Sequence, residues 1–147
     1  CYSFKGISIP EGIETFYVPF VEIATPDAPL SINTTFQDKL IQKVVQESPL
    51  RYKTDNPDIQ LTTSITGYTV QAVGANAQNN SDANQLSISV KLVYTDSKDE
   101  ENNFTKSFTQ RQEFAAGVNL LNVQDQLINE LFDDIIEDIF NQTFTQW

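Results

Sequence analysis

Residues 86–94 read LSISVKLVY, and Leu86, Ile88, Val90, Leu92 and Tyr94 alternate there with Ser87, Ser89 and Lys91. A period of two is the side-chain repeat of a β-strand, so this segment has one packed face and one wet face. A sheet that is wet on one side needs its cover on the other. The cover is read at 120–140, LLNVQDQLINELFDDIIEDIF. There Leu120, Leu121, Leu127, Ile128, Leu131, Phe132, Ile135, Ile136, Ile139 and Phe140 form one stripe, while Glu130, Asp133, Asp134, Glu137 and Asp138 fall on the opposite side of a helix. Asn122 is placed to cap this helix, with Asp125 at its third position, where negative charge suits the helix N-terminus.

Working outward, the charged DSKDEEN at 96–102 is a hairpin tip, and Phe104, Phe108 and Phe114 continue in even register as a following strand. On the other side the polar GANAQNNSDAN at 74–84 leads back to Ile59, Leu61, Thr63 and Ile65. Beyond Gly67 the apolar set moves to Tyr68, Val70 and Ala72, a slip of one that predicts a β-bulge at Gly67. Thr34 and Gln37 have capping-box spacing ahead of Phe36, Leu40, Ile41, Val44 and Val45, predicting a helix over 35–48 that Pro49 stops. Asn56, Pro57 and Asp58 then turn the chain. The aromatic and β-branched TFYVPFVEI at 15–23 reads as a strand, with Pro19 marking an edge or bulge. The expected order is β-α-β-β-β-α: an α+β fold with two helices on one face of a four-stranded mixed sheet. Residues 1–14, CYSFKGISIPEGIE, read as a short tether and 15–147 as one domain.

A chain of 147 residues buries roughly 70% of its unfolded surface, enough for one core without staples. Twenty acidic residues against nine basic give a net charge of −11, which argues against a nucleic-acid partner. No stretch of 18 apolar residues is present to span a bilayer as a helix.

The single cysteine is residue 1, and the sequence contains no methionine. A bacterial secretory leader is cut just before Cys in lipoproteins, so Cys1 is the expected site of a covalent acyl lipid, the membrane anchor. An accidental chain boundary at a cysteine is the plain alternative. Histidine is absent, so neither Ser-His-Asp and Cys-His catalysis nor a His-ligated zinc site can be built from this sequence. The remaining acids that could form a catalytic pair, Asp133 with Glu137 and Asp134 with Asp138, are four apart on one helix and read as a solvated face, not a glycosidase cleft. Neither a metal nor any cofactor beyond the lipid is expected, nor is catalysis. The triplets at Asn33, Asn79, Asn103 and Asn141 match a glycosylation pattern that carries no meaning in a bacterial lipoprotein.

Lys91 and Lys106 on neighbouring expected strands, followed by Arg111, form a candidate cationic spot for an anionic ligand, against the plainer reading of three solvated strand positions. Phe140, Phe144 and Trp147 share helical spacing at the end of the chain. They close the core or, in the case of Phe144 and Trp147, meet a partner.

The opening CYSFKGISIP, the strand motif ITGYTV at 65–70, the acidic amphipathic last helix and the ending IFNQTFTQW resemble the Bacteroidetes branch of the LptE family of lipopolysaccharide-assembly lipoproteins. That resemblance spans nearly the whole chain. It implies two helices on a four-stranded sheet, an outer-membrane location with the lipid in the periplasmic leaflet, and a role as a plug inside a large β-barrel translocon that delivers lipopolysaccharide to the outer leaflet. Cys1 corresponds to the acylated residue. Lys91 and Lys106 are assigned to lipopolysaccharide by their chemistry alone. A free-standing envelope lipoprotein that binds a glycan or another envelope protein is the competing class, and a carboxylate glycosidase a third.

Overall fold

The structure, a computed structural model, describes residues 7–73 and 83–145. Its sheet is built on β4 (Ile59–Val73), β5 (Ala83–Asp96) and β6 (Phe104–Ala115), with β5 antiparallel to both β4 and β6. The expected bulge is present: the β4–β5 register shifts between Ile65 and Gly67. A Cβ at Gly67 would lie 3.2 Å from the Ser89 side chain opposite, so a glycine fits the close approach there.

The first strand differs from expectation. Residues 15–23 form two short strands, β1 (Thr15–Tyr17) and β2 (Glu22–Ile23), each parallel to β4 but at different heights. Pro19 cannot donate to a ladder, and the chain leaves the sheet around it. Its stranded carbonyls are satisfied by side chains: Val18 O accepts from Gln37 Nε2 at 3.0 Å and Tyr52 Oη at 3.2 Å, and Val21 O accepts from Asn33 Nδ2 at 3.0 Å. A further two-residue strand, β3 (Arg51–Tyr52), pairs parallel to β1, so the described sheet has six strands in the order β3-β1-β4-β5-β6, with β2 also beside β4. Two residues are too few to show a period, which is why the sequence reads four strands.

Both helices lie on one face. The first, α1 (Ile32–Glu47), starts three residues before its expected place and is not closed by a capping box. Ser31, at φ 74°, precedes it; the Thr34 hydroxyl donates to Ser31 O at 2.8 Å, and Gln37 is spent on Val18. It ends where Pro49 requires, with Ser48 Oγ donating to Val44 O and accepting from Leu50 N. Val45 is exposed, not part of the stripe. The second, α2 (Leu120–Phe144), is capped by Asn119, whose side chain accepts from Leu121 N at 3.0 Å; Asn122 is inside the helix. Leu121 is 75% exposed, so the buried stripe begins in earnest at Leu127.

The core is the layer between helices and sheet. Phe36, Leu40 and Val44 from α1 and Leu131, Phe132, Ile135 and Ile139 from α2 press on Leu61, Ile65, Ile88, Val90 and Leu92, all of them buried. Each such aliphatic residue contributes roughly 1.5–3 kcal/mol by leaving water. Phe36 meets Phe132 edge to face at 5.0 Å, tying the two helices together.

The expected tether is attached to the domain from residue 7 onward. Ile7 and Ile9 pack on the core, Ile13 is buried, and Ser8 N–H donates to Phe144 O at 2.6 Å. Gly12, at φ +88°, turns this strap where its carbonyl accepts from Lys98 Nζ at 2.7 Å.

Candidate functional site

The strand register divides the sheet residues between two faces. Leu61, Ile65, Tyr68, Ile88, Val90 and Leu92 face the helices. The alternate residues form an open face. It carries Thr62, Ser64 and Thr69 of β4, Ser87, Ser89 and Lys91 of β5, and Thr105, Ser107, Thr109 and Arg111 of β6, with Gln60, Gln71 and Gln85 among them. Hydroxyl and amide groups dominate, and Ser89 Oγ lies 2.8 Å from Thr109 Oγ1 in a cross-strand hydrogen bond. Two acids, Glu22 and Glu113, stand against three bases on this face, Lys91, Arg111 and Arg51, the last in register with Thr15. The open face is therefore close to neutral in a protein of net charge −11.

The negative charge concentrates on the helix side instead. Asp133 pairs with Lys39 at 2.8 Å, and Glu137 pairs with Lys43, which also reaches Glu47 at 2.7 Å and lies over the Phe140 ring. Burial lowers the Lys43 pKa, but its bonds to Glu137 and Glu47 outweigh that and hold it above the ordinary value of 10.5. The groove between the helices, about 290 Å³ and bordered by Lys39, Lys43, Asp133 and Glu137, is thus spanned by its own ion pairs. Asp133 and Glu137, two of the four acids that could have formed a glycosidase pair, are held in these bridges.

The candidate cationic spot does not form. Lys106 pairs in register with Leu92, whereas Lys91 pairs with Ser107, so the two lysines lie on opposite faces of the sheet. An offset of one residue reverses the face. Lys106 lies on the helix side, donating to Gln142 Oε1 at 2.8 Å with its ammonium over the Phe108 ring. Lys91 and Arg111 share the open face but stand four register steps apart, roughly 13 Å. The parity was present in the sequence: Lys106 lies midway between Phe104 and Phe108, both expected on the packed side. Phe144 is fully buried and stacks obliquely on Phe140 at 5.2 Å, so it closes the core and offers no surface to a partner. Cys1 and Trp147 lie outside the described residues. No group of three or more acidic or thiol side chains that could hold a metal occurs among the described residues.

A second surface was not read from the sequence. Leu30, Val70, Val118 and Leu121 are exposed at the end of the molecule where β4 runs toward β5 and α2 begins; Tyr68 Oη, bonded to Gln124 Oε1 at 3.0 Å, places strand and helix together there. A hollow of about 340 Å³ between Leu30, Ile32, Asp125 and Ile128 adjoins it. The opposite end carries the strap and the acidic β5–β6 turn.

Two helices roofing one face of a mixed sheet define the class, a fold shared with solved proteins of several bacteria. The chain is similar to lipoprotein B of Nitrosomonas europaea, with a TM-score of 0.60 at 13% identity over 97% of this chain and 89% of that one. It is also similar to the hypothetical protein CT253 of Chlamydia trachomatis, with a TM-score of 0.58 at 10% identity over 88% and 96%. A minor lipoprotein of Acinetobacter baumannii gives a TM-score of 0.57 at 12% identity over 88% and 91%. At such identities the likeness establishes the fold. No curated protein sequence matches the chain. The LptE family, lipopolysaccharide-assembly, matches residues 13–143, and the chain belongs to it.

Proposed function

We propose that this protein is an outer-membrane lipoprotein that sits as a plug in the lumen of a large β-barrel lipopolysaccharide translocon, helps that barrel assemble and assists delivery of lipopolysaccharide to the outer leaflet. Membership of the lipopolysaccharide-assembly family sets the process. The observation that carries the plug is the open sheet face: a nearly neutral array of Ser, Thr and Gln side chains suits the polar inner wall of a barrel, where hydrogen bonds replace those to water. An acyl lipid on Cys1 holds the protein at the periplasmic leaflet, with the strap entering at the Phe144 end of the fold. The protein catalyses no reaction. It stabilises the barrel by binding its folded form.

Of the open-face cations, Lys91 and Arg111 lie on the long strands β5 and β6 and are available to the phosphates of the glycolipid. Lys106, engaged with Gln142, is not. The test is extraction in mild detergent from the native membrane. The plug reading expects co-purification with one very large barrel protein, loss of that barrel on depletion, and crosslinks from Thr69 or Ser107 to the barrel wall. A chain extracted alone, with normal barrel assembly in its absence, would return it to the free-standing class. Lys91→Glu with Arg111→Glu is expected to weaken crosslinking to lipopolysaccharide, and unchanged crosslinking would assign both to solvent.

A further inference from the structure

The outer edge of the sheet carries a feature that the open face does not explain. Strand β6 is twelve residues long, roughly 40 Å, contains no proline, and has no strand beyond it among the described residues. Its backbone directions follow from the ladder. Ile65 O accepts from Ala24 N on the β2 side, and Asp58 O accepts from Ser97 N on the β5 side, so even-numbered β4 residues up to the bulge point toward β5. Ser64 pairs with Lys91, which turns odd-numbered β5 residues toward β4 and even-numbered ones toward β6. Because Val90 pairs with Phe108 and Leu92 with Lys106, the even β6 residues bond β5. The amides and carbonyls of Thr105, Ser107, Thr109, Arg111 and Glu113 therefore point out of the sheet, a row of five donors and five acceptors.

We infer that this edge is the docking site for an extended segment of a protein partner, which adds as a strand to β6 and carries a basic side chain on the helix side. Edge strands are normally shortened, charged or covered to prevent such pairing, and β6 is neither short nor paired on its outer side by any strand among the described residues. Its lysine is drawn back over the helix face by Gln142. The occupant's chemistry is set by what borders the edge. On the open face it meets hydroxyls. On the helix face it meets the half-buried Phe104 and Phe114 beneath an acidic rim, because Asp138 accepts from Gln110 Nε2 at 2.7 Å and the exposed Asp134 lies one turn away. The same rim disfavours a second copy of this chain. Antiparallel self-pairing about Thr109 would set the two α2 helices side by side, acid against acid. This inference rests on the assembly reading only in requiring a protein partner.

Amide hydrogen exchange of residues 104–115, compared between the detergent-extracted native assembly and the isolated chain, tests it. The five outward amides are expected to slow by roughly tenfold or more in the assembly, with those bonded to β5 slow in both. Equal exchange in the two samples, or extraction of the chain alone, would overturn the proposal. Thr105→Pro with Glu113→Pro removes two outward donors and no ladder bond, so the isolated variant is expected to keep its thermal midpoint and lose the assembly, while Thr105→Ala with Glu113→Ala retains it. Retention by the folded proline variant would overturn the proposal, as would an isolated chain that dimerises at neutral pH and is split by those prolines. Mass spectrometry of the partner judges the barrel reading separately, since an edge protected by a partner that is not a barrel supports the docking site and refutes the plug.

Discussion

Asp58 joins three parts of the chain that are distant in sequence. Its carboxylate accepts from the Glu14 amide at 2.7 Å and the Thr15 amide at 3.1 Å and faces Lys98 at 3.5 Å, while its own amide donates to Thr15 Oγ1 at 2.9 Å. Burial pushes its pKa up, but the two amides, Lys98 and the Thr15 hydroxyl together hold it below the ordinary value of 3.8. A carboxylate with a depressed folded pKa stabilises the fold fully above its ordinary value, and that contribution is lost as pH falls through the depressed one. Asp58→Ala is expected to cost about 1–3 kcal/mol at pH 7, measured by urea unfolding, with the gap to the parent closing as pH falls below 3.8 and through the depressed value. A gap independent of pH would place the cost in packing instead. The linkage has the opposite sign at Lys43: its raised pKa makes the Glu137 and Glu47 contribution complete below 10.5 and lost as pH rises through the folded value. None of this was legible around Asn56-Pro57-Asp58, which reads only as a turn, because the groups that Asp58 binds lie some forty residues away.

Whole elements were legible where their own residues decide them. The alternation of 86–94, the slip at Gly67 and the long α2 stripe are each local patterns forced by one-sided burial, and the structure follows them. Ends and short pieces are decided by the rest of the molecule. Asn122 and Asn119 have the same intrinsic capping ability, and β6 running on to Ala115 brings the chain round at Asn119 first. Asn119→Ala is therefore expected to destabilise by about 1 kcal/mol and Asn122→Ala by less than about 0.5 kcal/mol in chemical unfolding. Equal costs would show that the Leu121 amide needs no cap. The split of residues 15–23 has the same origin: Pro19 signals a break, but only Gln37, Asn33 and Tyr52, brought in by α1 and β3, make a clean break tolerable. The bulge has its own test. Gly67→Ala presses a Cβ on Ser89, which is tied to Thr109, so it is expected to cost roughly 1 kcal/mol, a cost that Ser89→Gly in the same molecule removes if the contact is its cause.

At the scale of the whole molecule, the sequence states the net charge but not its direction. The register puts Lys91, Arg111 and Arg51 against Glu22 and Glu113 on a near-neutral sheet face, leaving Asp133, Asp134, Glu137 and Asp138 along α2, where two lysines of α1 offset only Asp133 and Glu137. Folding therefore gathers like charge on one side, a self-repulsion that the extended chain largely escapes. Exposed repulsions of this kind act over about 10 Å at 0.1 M salt and are screened at higher concentration, whereas the ion pairs to Lys39 and Lys43 are short and fewer. Raising sodium chloride from about 10 mM to about 0.5 M is thus expected to raise the thermal midpoint, and Asp134→Lys, which converts the repulsive pair with Asp138 into an attractive one worth a few tenths of a kcal/mol, is expected to raise it at low salt and to flatten the salt response. A midpoint that falls with salt would mean that the α1–α2 ion pairs outweigh the repulsion. The acidic side would then act as a brace between the helices, and a basic partner would gain less from covering it.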